Sequence, residues 1–166
     1  MLRTHNCNEL RESNIGEEVV LSGWVDTIRD HGGVLFVDLR DHYGITQIVF
    51  SDDSLLSGIT KETVVQIKGK VTKRDEETVN DKLETGTVEV KANEIEVLGP
   101  CNLGLPFEIQ KSTETREEVR LKYRYLDLRN KDIHDNIILR SKVISYLRKQ
   151  MEGMGFMEIQ TPILTA

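Results

Sequence analysis

The residues predict a mainly β fold, a small five-stranded barrel followed by one long amphipathic helix. Three observations carry that prediction. Apolar and polar residues alternate with period two in five separate stretches before Gly99, as strands with one buried face require. A stretch without that alternation separates the third strand from the fourth. Near Asn136 the period changes, and Ile137, Val143, Ile144, Leu147, Met151 and Met154 fall at helical spacing. Three strands, a non-β connection and two more strands is the order of a Greek-key OB-fold barrel. A six-stranded SH3-like barrel is the competing architecture.

The first strand spans about Glu18 to Arg29 and carries Val19, Leu21, Gly23 and Val25 on one face. The second, Val34 to Arg40, sends Leu35, Val37 and Leu39 one way and Val34, Phe36, Asp38 and Arg40 the other. Asp41-His-Tyr-Gly44 turns the chain into a third strand, Ile45 to Phe50, so these three form a meander of hairpins. Ser51 to Thr60 is expected to hold a short helix or loop. The fourth strand, Thr63 to Arg74, buries Val65, Ile67 and Val71 and exposes Gln66, Lys68 and Lys70. A charged loop from Asp75 to Glu84 leads to the fifth, Gly86 to Leu98, which buries Val88, Val90 and Ala92. It resumes out of phase at Ile95 and Val97, which predicts a bulge near Asn93. Residues before Glu17 are expected to cap the open end of the barrel.

The expected division is a barrel over 1–104, a linker over 105–132 and the start of a second domain over 133–166. Pro100 and Pro106 punctuate a stretch that has no apolar period. Asp135 is the expected N-cap of the helix and Gly155 its left-handed stop. Past Gly155, Ile159, Ile163 and Leu164 suggest a short strand, with Pro162 where a sheet tolerates a missing donor. The expectation is a finished domain joined to the first helix and strand of an unfinished one.

Composition narrows the function classes. The chain has no run of eighteen apolar residues, so no membrane partner is expected. Its first residues lack the apolar stretch of a signal peptide. Cys7 and Cys101 lie far apart without metal-ligand spacing and read as reduced thiols of a cytoplasmic protein. The net charge of −6 is uneven, with 11 Lys and Arg against 19 Asp and Glu in residues 1–105 and 11 against 9 thereafter. An acidic barrel is a poor general nucleic-acid binder, and no DNA partner is expected. RNA would have to be held by a local basic strip and base contacts. No Ser/His/Asp arrangement or phosphate-cradling loop is present, and His5, His31, His42 and His134 share no ligand spacing, so neither catalytic nor metal-binding residues are expected. Asp30, Asp38 and Asp41 read as solvated loop and strand-end positions.

Four features point toward RNA. By alternation Phe36 points away from the Leu35/Val37/Leu39 row, and an aromatic on the wet face of an OB strand is a stacking platform for a base. The plainer reading is a ring covered by the N-terminal segment. Lys68, Lys70, Lys73 and Arg74 form a basic strip that could track an RNA backbone, although edge strands also carry lysines to discourage pairing. Gln47 shares a face with Ile45 and Val49, where an amide can read a base edge or simply be an exposed strand glutamine. Glu89, between Thr87 and Lys91 on the outer side, is either a solvated carboxylate or an acceptor for base N–H groups.

Several segments taken in order are more specific. Arg3-Thr-His-Asn-Cys7, Gly23-Trp-Val25, Arg29-Asp-His-Gly-Gly33, Phe36-Val-Asp-Leu-Arg-Asp41 and Leu121-Lys-Tyr-Arg-Tyr-Leu-Asp-Leu-Arg129 together resemble the bacterial-type aspartyl-tRNA synthetases. The closing Gly155-Phe and Thr161-Pro-Ile-Leu164 resemble motif 1 of class II synthetases. The resemblance runs nearly end to end. Asn8 stands where that family has glycine, and Thr27-Ile28 replaces a more basic pair.

The resemblance implies that Phe36 stacks on the middle anticodon base, that Gln47 and Glu89 read anticodon bases, and that Arg29 lies near the first. His31 in Arg-Asp-His-Gly-Gly resembles the branch that accepts both aspartate and asparagine tRNAs. The implied partners are the anticodon loop of the aspartate tRNA, with the asparagine tRNA as a second, and another copy of the chain. Ile144, Leu147, Met151 and Pro162 would lie at that dimer interface. The full-length enzymes use ATP and Mg, held by motifs 2 and 3; neither motif nor the bacterial insertion domain is found here, so no cofactor and no catalysis are expected of this chain alone. Two rival readings are a free-standing OB-fold protein for single-stranded nucleic acid, and an assembly module that keeps only the dimer helix.

Overall fold

The computed structural model describes residues 2–101 and 104–161, with Asp53 described by its backbone alone. Two compact units divide the chain, Met1–Gly104 and Leu105–Ala166.

In the first unit, β1 (Glu18–Asp30), β2 (Leu35–Arg40), β3 (Ile45–Phe50), β4 (Val64–Lys73) and β5 (Val88–Gly99) close into a barrel. Their order around it is β1-β2-β3-β5-β4, the OB arrangement. The β3–β5 ladder is parallel and the others antiparallel. Alternation decides what fills the interior: Leu21, Val25, Val37, Leu39, Ile48, Phe50, Val65, Ile67, Val71, Val88 and Val90 are fully buried. Gly23 permits the close approach of β1 to β2, since a Cβ there would lie 2.4 Å from the Arg40 carbonyl oxygen. The stretch between β3 and β4 holds only a 3-10 turn, Asp53–Leu56.

Three register shifts interrupt the ladders, at Leu98, Asn93 and Asp26, and the last two shape the outer face. Lys68 pairs with Glu94 and Gly69 with Ala92, leaving Asn93 as the extra residue, where the phase shift placed it. The last lies at Asp26, because Val25 pairs with Leu39 and Thr27 with Asp38. Without Asp26 as an insertion, Thr27 and Arg29 would share the inward parity of Val25. The bulge turns both outward.

The N-terminal segment plugs one end of the barrel with Cys7 and Leu10, both fully buried. Asp41, expected to be solvated, is buried and anchors that plug. Its Oδ2 accepts from Arg3 Nη1 and from the Cys7 amide, each at 3.0 Å. Its Oδ1 accepts from the amides of Tyr43 (2.8 Å) and Gly44 (3.0 Å), which shapes the β2–β3 turn. Burial, with the Asp41 charge adding to it, pushes the Cys7 thiol far above the usual thiol range, so it behaves as an inert core group.

The second unit is folded over most of the stretch that lacks a period. A pair of merged 3-10 turns (Ile109–Glu114) precedes α1 (Glu117–Lys122), α2 (Arg124–Asp127) and α3 (Lys131–Gly153). Turns this short never repeat a face, so no period reaches the sequence. Phe107, Ile109 and Leu126 are buried. Asp127 is fully buried and ion-pairs with Arg120 at 3.1 Å and with Arg124. Burial alone would raise its carboxyl, but the hydrogen bonds and charges of these arginines leave it below the ordinary carboxylate value. Its contribution to stability is therefore present above the ordinary aspartate value and lost as pH falls through its folded one.

The start of α3 corrects an expectation. Asn130, not Asp135, is the N-cap: its side chain accepts from the Asp132 amide at 3.0 Å and donates to the carbonyls of Ile109 (3.0 Å) and Gln110 (3.2 Å). Asp135 lies one turn inside and pairs with Lys131. The end is as expected. Gly155 has φ +90, and the amides of Gly155 and Phe156 donate to the carbonyls of Glu152 (2.9 Å) and Met151 (3.0 Å), a Schellman cap. No strand forms in residues 156–161; Pro162, Ile163 and Leu164 lie outside the described residues. Among the described residues no helix is long and apolar enough to cross a membrane.

Candidate nucleic-acid interface

Strand register assembles one patch on the outer face of the barrel. Arg29 lies opposite Phe36, and Phe36 opposite Val49. One step along, Thr27 faces Asp38, and Asp38 faces Gln47. The parallel β3–β5 ladder brings Glu89 to the other side of Gln47. A single chain of polar contacts results. Arg29 Nη2 donates to Asp38 Oδ1 at 2.6 Å and to Gln47 Oε1 at 3.3 Å. Gln47 Nε2 then donates to Glu89 Oε2 at 3.0 Å. Four strands thus contribute one side chain each.

Gln47 is only 7% exposed, so it is no freely solvated strand glutamine. Both ends of its amide are held, with the oxygen toward Arg29 and the nitrogen toward Glu89. Phe36 is half-buried on the outer face and is not sealed in the core. His31 stands edge-on to its ring, with centroids 5.5 Å apart and planes at 81°. The loop carrying His31 is closed by its amide, which donates to the Val34 carbonyl at 3.1 Å.

Asp38 was expected to be solvated but is half-buried in this network. Burial raises its carboxyl above the ordinary value; Arg29 opposes this, Asp26 adds to it and Arg74 opposes it. A carboxyl raised on folding binds its proton more tightly in the native state. Its ionisation therefore lowers stability as pH rises from the ordinary aspartate value through the folded one.

The predicted basic strip does not form. Arg74 shares outward parity with Lys68 and Lys70, yet it is 4% exposed. Its Nε donates to the Val88 carbonyl at 3.0 Å and its Nη1 to the Thr78 carbonyl at 3.4 Å. Burial lowers the guanidinium below its ordinary value, while the Glu89 and Asp38 charges oppose that. It is a cation set beneath the patch and not an exposed one beside it. Lys68 pairs with Glu94 at 2.7 Å. Lys73 is exposed but has the opposite parity, pairing with core Val88. Lys70 is exposed on the outer face.

Chemically, the patch offers a ring face, a guanidinium, an amide that both donates and accepts, and a carboxylate that only accepts. That inventory suits hydrogen-bonding edges of splayed bases. Among the described residues no cluster of His, Cys, Asp and Glu could hold a metal. In the second unit, Ile144, Leu147 and Met151 are exposed. With Phe156 and Met157 they line a shallow groove, bordered by the Arg148–Glu158 pair at 3.0 Å.

A model described as the OB-fold nucleic acid binding domain matches residues 19–98. A model of class II tRNA synthetases (D, K and N) matches residues 116–166. Fold and matches together give an OB-fold barrel followed by a segment similar to class II tRNA synthetases. The chain is 54% identical over 169 residues to the aspartate–tRNA(Asp/Asn) ligase of Ehrlichia canis (strain Jake), covering 99% of this chain and 28% of that protein. Its identity to the aspartate–tRNA(Asp/Asn) ligase of Pelagibacter ubique (strain HTCC1062) is 53% over 168 residues, with the same 99% and 28% coverage. The chain is similar to these ligases over 99% of its own length and spans 28% of theirs. Two solved structures establish the fold independently. The aspartyl tRNA synthetase of Entamoeba histolytica has a TM-score of 0.83 at 22% identity, covering 98% of this chain and 40% of that one. The asparaginyl-tRNA synthetase of Pyrococcus horikoshii gives 0.78 at 24%, covering 99% and 39%.

Proposed function

We propose that the barrel binds the anticodon loop of an aspartate-accepting tRNA as part of a cytoplasmic aspartate–tRNA ligase. The observation that carries this reading is the Arg29–Gln47–Glu89 chain of hydrogen bonds beside the outward ring of Phe36. Phe36 stacks on one unstacked base. Gln47 and Glu89 exchange their mutual hydrogen bond for bonds to base edges, and Arg29 does the same at the first anticodon base. His31, edge-on to Phe36, lies beside the stacked base and bears on the choice between aspartate and asparagine tRNAs. Residues 1–104 are the anticodon-binding domain, 105–132 a folded hinge and 133–166 the start of the catalytic domain. Ile144, Leu147, Met151 and Pro162 meet a second subunit. The ligase reaction activates aspartate with ATP and transfers it to the tRNA 3′ end. No step of that reaction is assigned to the described residues.

Titration of an aspartate-tRNA anticodon hairpin against the same hairpin with a scrambled loop tests the reading. The native loop is expected to bind tighter. Equal affinities would reject sequence-specific reading and leave a general single-strand binder.

A further inference from the structure

Two lysines beside the patch face each other, and neither closes an ion pair among the described residues. Lys70 on β4 and Lys91 on β5 are directly opposed across the antiparallel ladder, and both are exposed on the outer face. Like charges in that relation are destabilising. Among the described residues neither ammonium lies in an ion pair. Nearby carboxylates are engaged elsewhere. Glu94 holds Lys68 at 2.7 Å, and Glu89 accepts from Gln47 at 3.0 Å. Glu18, the β1 partner of Lys70, accepts from Asn93 at 3.4 Å.

Register places this pair in the same row as the aromatic ring. Arg29 faces Phe36, Phe36 faces Val49, Val49 faces Lys91 on the parallel ladder, and Lys91 faces Lys70. At roughly 4.8 Å between strands, the Lys91 backbone lies about 10 Å from that of Phe36. A nucleotide or two bridges such a span. We infer that Lys70 and Lys91 together clamp a backbone phosphate of the nucleotides flanking the base on Phe36. Between the stacking platform and the clamp lies apolar Val49, over which a sugar can pass. The inference rests on the anticodon reading above and moves the backbone contact from the predicted Lys68–Arg74 strip to a cross-strand pair. It also accounts for an otherwise unfavourable juxtaposition, since a bound phosphate would sit between two ammonium groups whose one cross-strand carboxylate neighbour, Glu18, closes no ion pair with either. Such a contact positions the strand and carries no base information.

The test measures affinity for the anticodon hairpin across a salt series, with the whole chain and with its Lys70→Gln/Lys91→Gln double variant. Each lysine–phosphate contact contributes about 0.7 to the slope of log affinity against log salt for a single strand. Loss of both should flatten the slope by about 1.4, so a tenfold drop in salt favours wild type by about 25-fold more. Preference for the native over the scrambled loop should be unchanged, and the double variant should melt no lower than wild type. A wild type that prefers its native loop, with an equal slope in the double variant, overturns the clamp and leaves the anticodon reading standing. A lower melting temperature overturns the premise that the pair opposes stability. Failure of wild type to prefer its native loop overturns the anticodon reading and the clamp with it.

Discussion

Replacing Phe36 with alanine is expected to weaken binding of the anticodon hairpin by about 5- to 150-fold, the equivalent of roughly 1–3 kcal/mol for one stacked base. The ring lies on the outer face of β2, while Val37 and Leu39 on the inner face are fully buried. Its removal therefore takes little from the core, and the unfolding midpoint should barely move. Two variants separate stacking from simple bulk. Phe36→Tyr keeps a π-face and should retain most of the affinity; Phe36→Leu keeps volume without one and should resemble alanine. His31 would lose its 5.5 Å edge contact, so the loop it sits on should become more mobile in the alanine variant. Hairpin titration by fluorescence anisotropy checks all three. Equal affinity in all of them would mean that no base stacks here.

A second large effect is expected on stability. Arg40→Ala should lower the free energy of unfolding by about 3–5 kcal/mol, the usual consequence of removing one partner from a buried charge cluster. Arg40 Nε donates to Asp26 Oδ1 at 2.8 Å and Nη2 to Glu62 Oε1 at 2.6 Å. The three side chains are only 10%, 20% and 12% exposed. Without the guanidinium, two carboxylates remain in a poorly solvated corner. Glu62 also has φ 65, a conformation unfavourable for a residue with a Cβ. It is held by its amide, which donates to the Val25 carbonyl at 2.7 Å, and by Arg40. The stacking of Arg40 over Trp24, at 5.8 Å from the ring centroid, would go as well. Arg40→Lys keeps a charge but not the two-pronged geometry and should fall between. Urea denaturation measures the loss, and a change under about 1 kcal/mol would show that the cluster is not what holds this corner. Because Asp26 is the bulge residue that turns Arg29 outward, weaker hairpin binding should accompany the lost stability.

Most of the barrel was legible because its physics is local. Alternation names the inward residues of each strand, and the phase shift between Ala92 and Ile95 marks the bulge at Asn93. The short turn between Asp41 and Gly44 also sets the β2–β3 register, so the Asp38–Gln47 and Phe36–Val49 pairs could have been written down from the sequence. Drawing that ladder would have taken Asp38 out of the solvated class. Other features depend on closure of the barrel. Arg74 has outward parity like Lys70, yet it folds under Glu89 because backbone carbonyls at Val88 and Thr78 await its guanidinium. No pattern in the sequence separates those two cations. The bulge at Asp26 was equally hidden, since Thr27 and Ile28 give no clear parity. In the second unit, the Asn130 cap bond to the Asp132 amide is local and could have been read, whereas the anchoring of the same side chain to carbonyls twenty residues upstream could not.

The central claim is that Gln47 and Glu89 read base edges next to a base stacked on Phe36. Its most direct test is a titration of wild type, Gln47→Ala and Glu89→Gln against hairpins changed at one anticodon base at a time. Wild type should discriminate at each anticodon position. Each variant should lose discrimination at one or two of these positions while binding the native loop more weakly. If both variants keep the wild-type discrimination profile, the polar row does not read the anticodon.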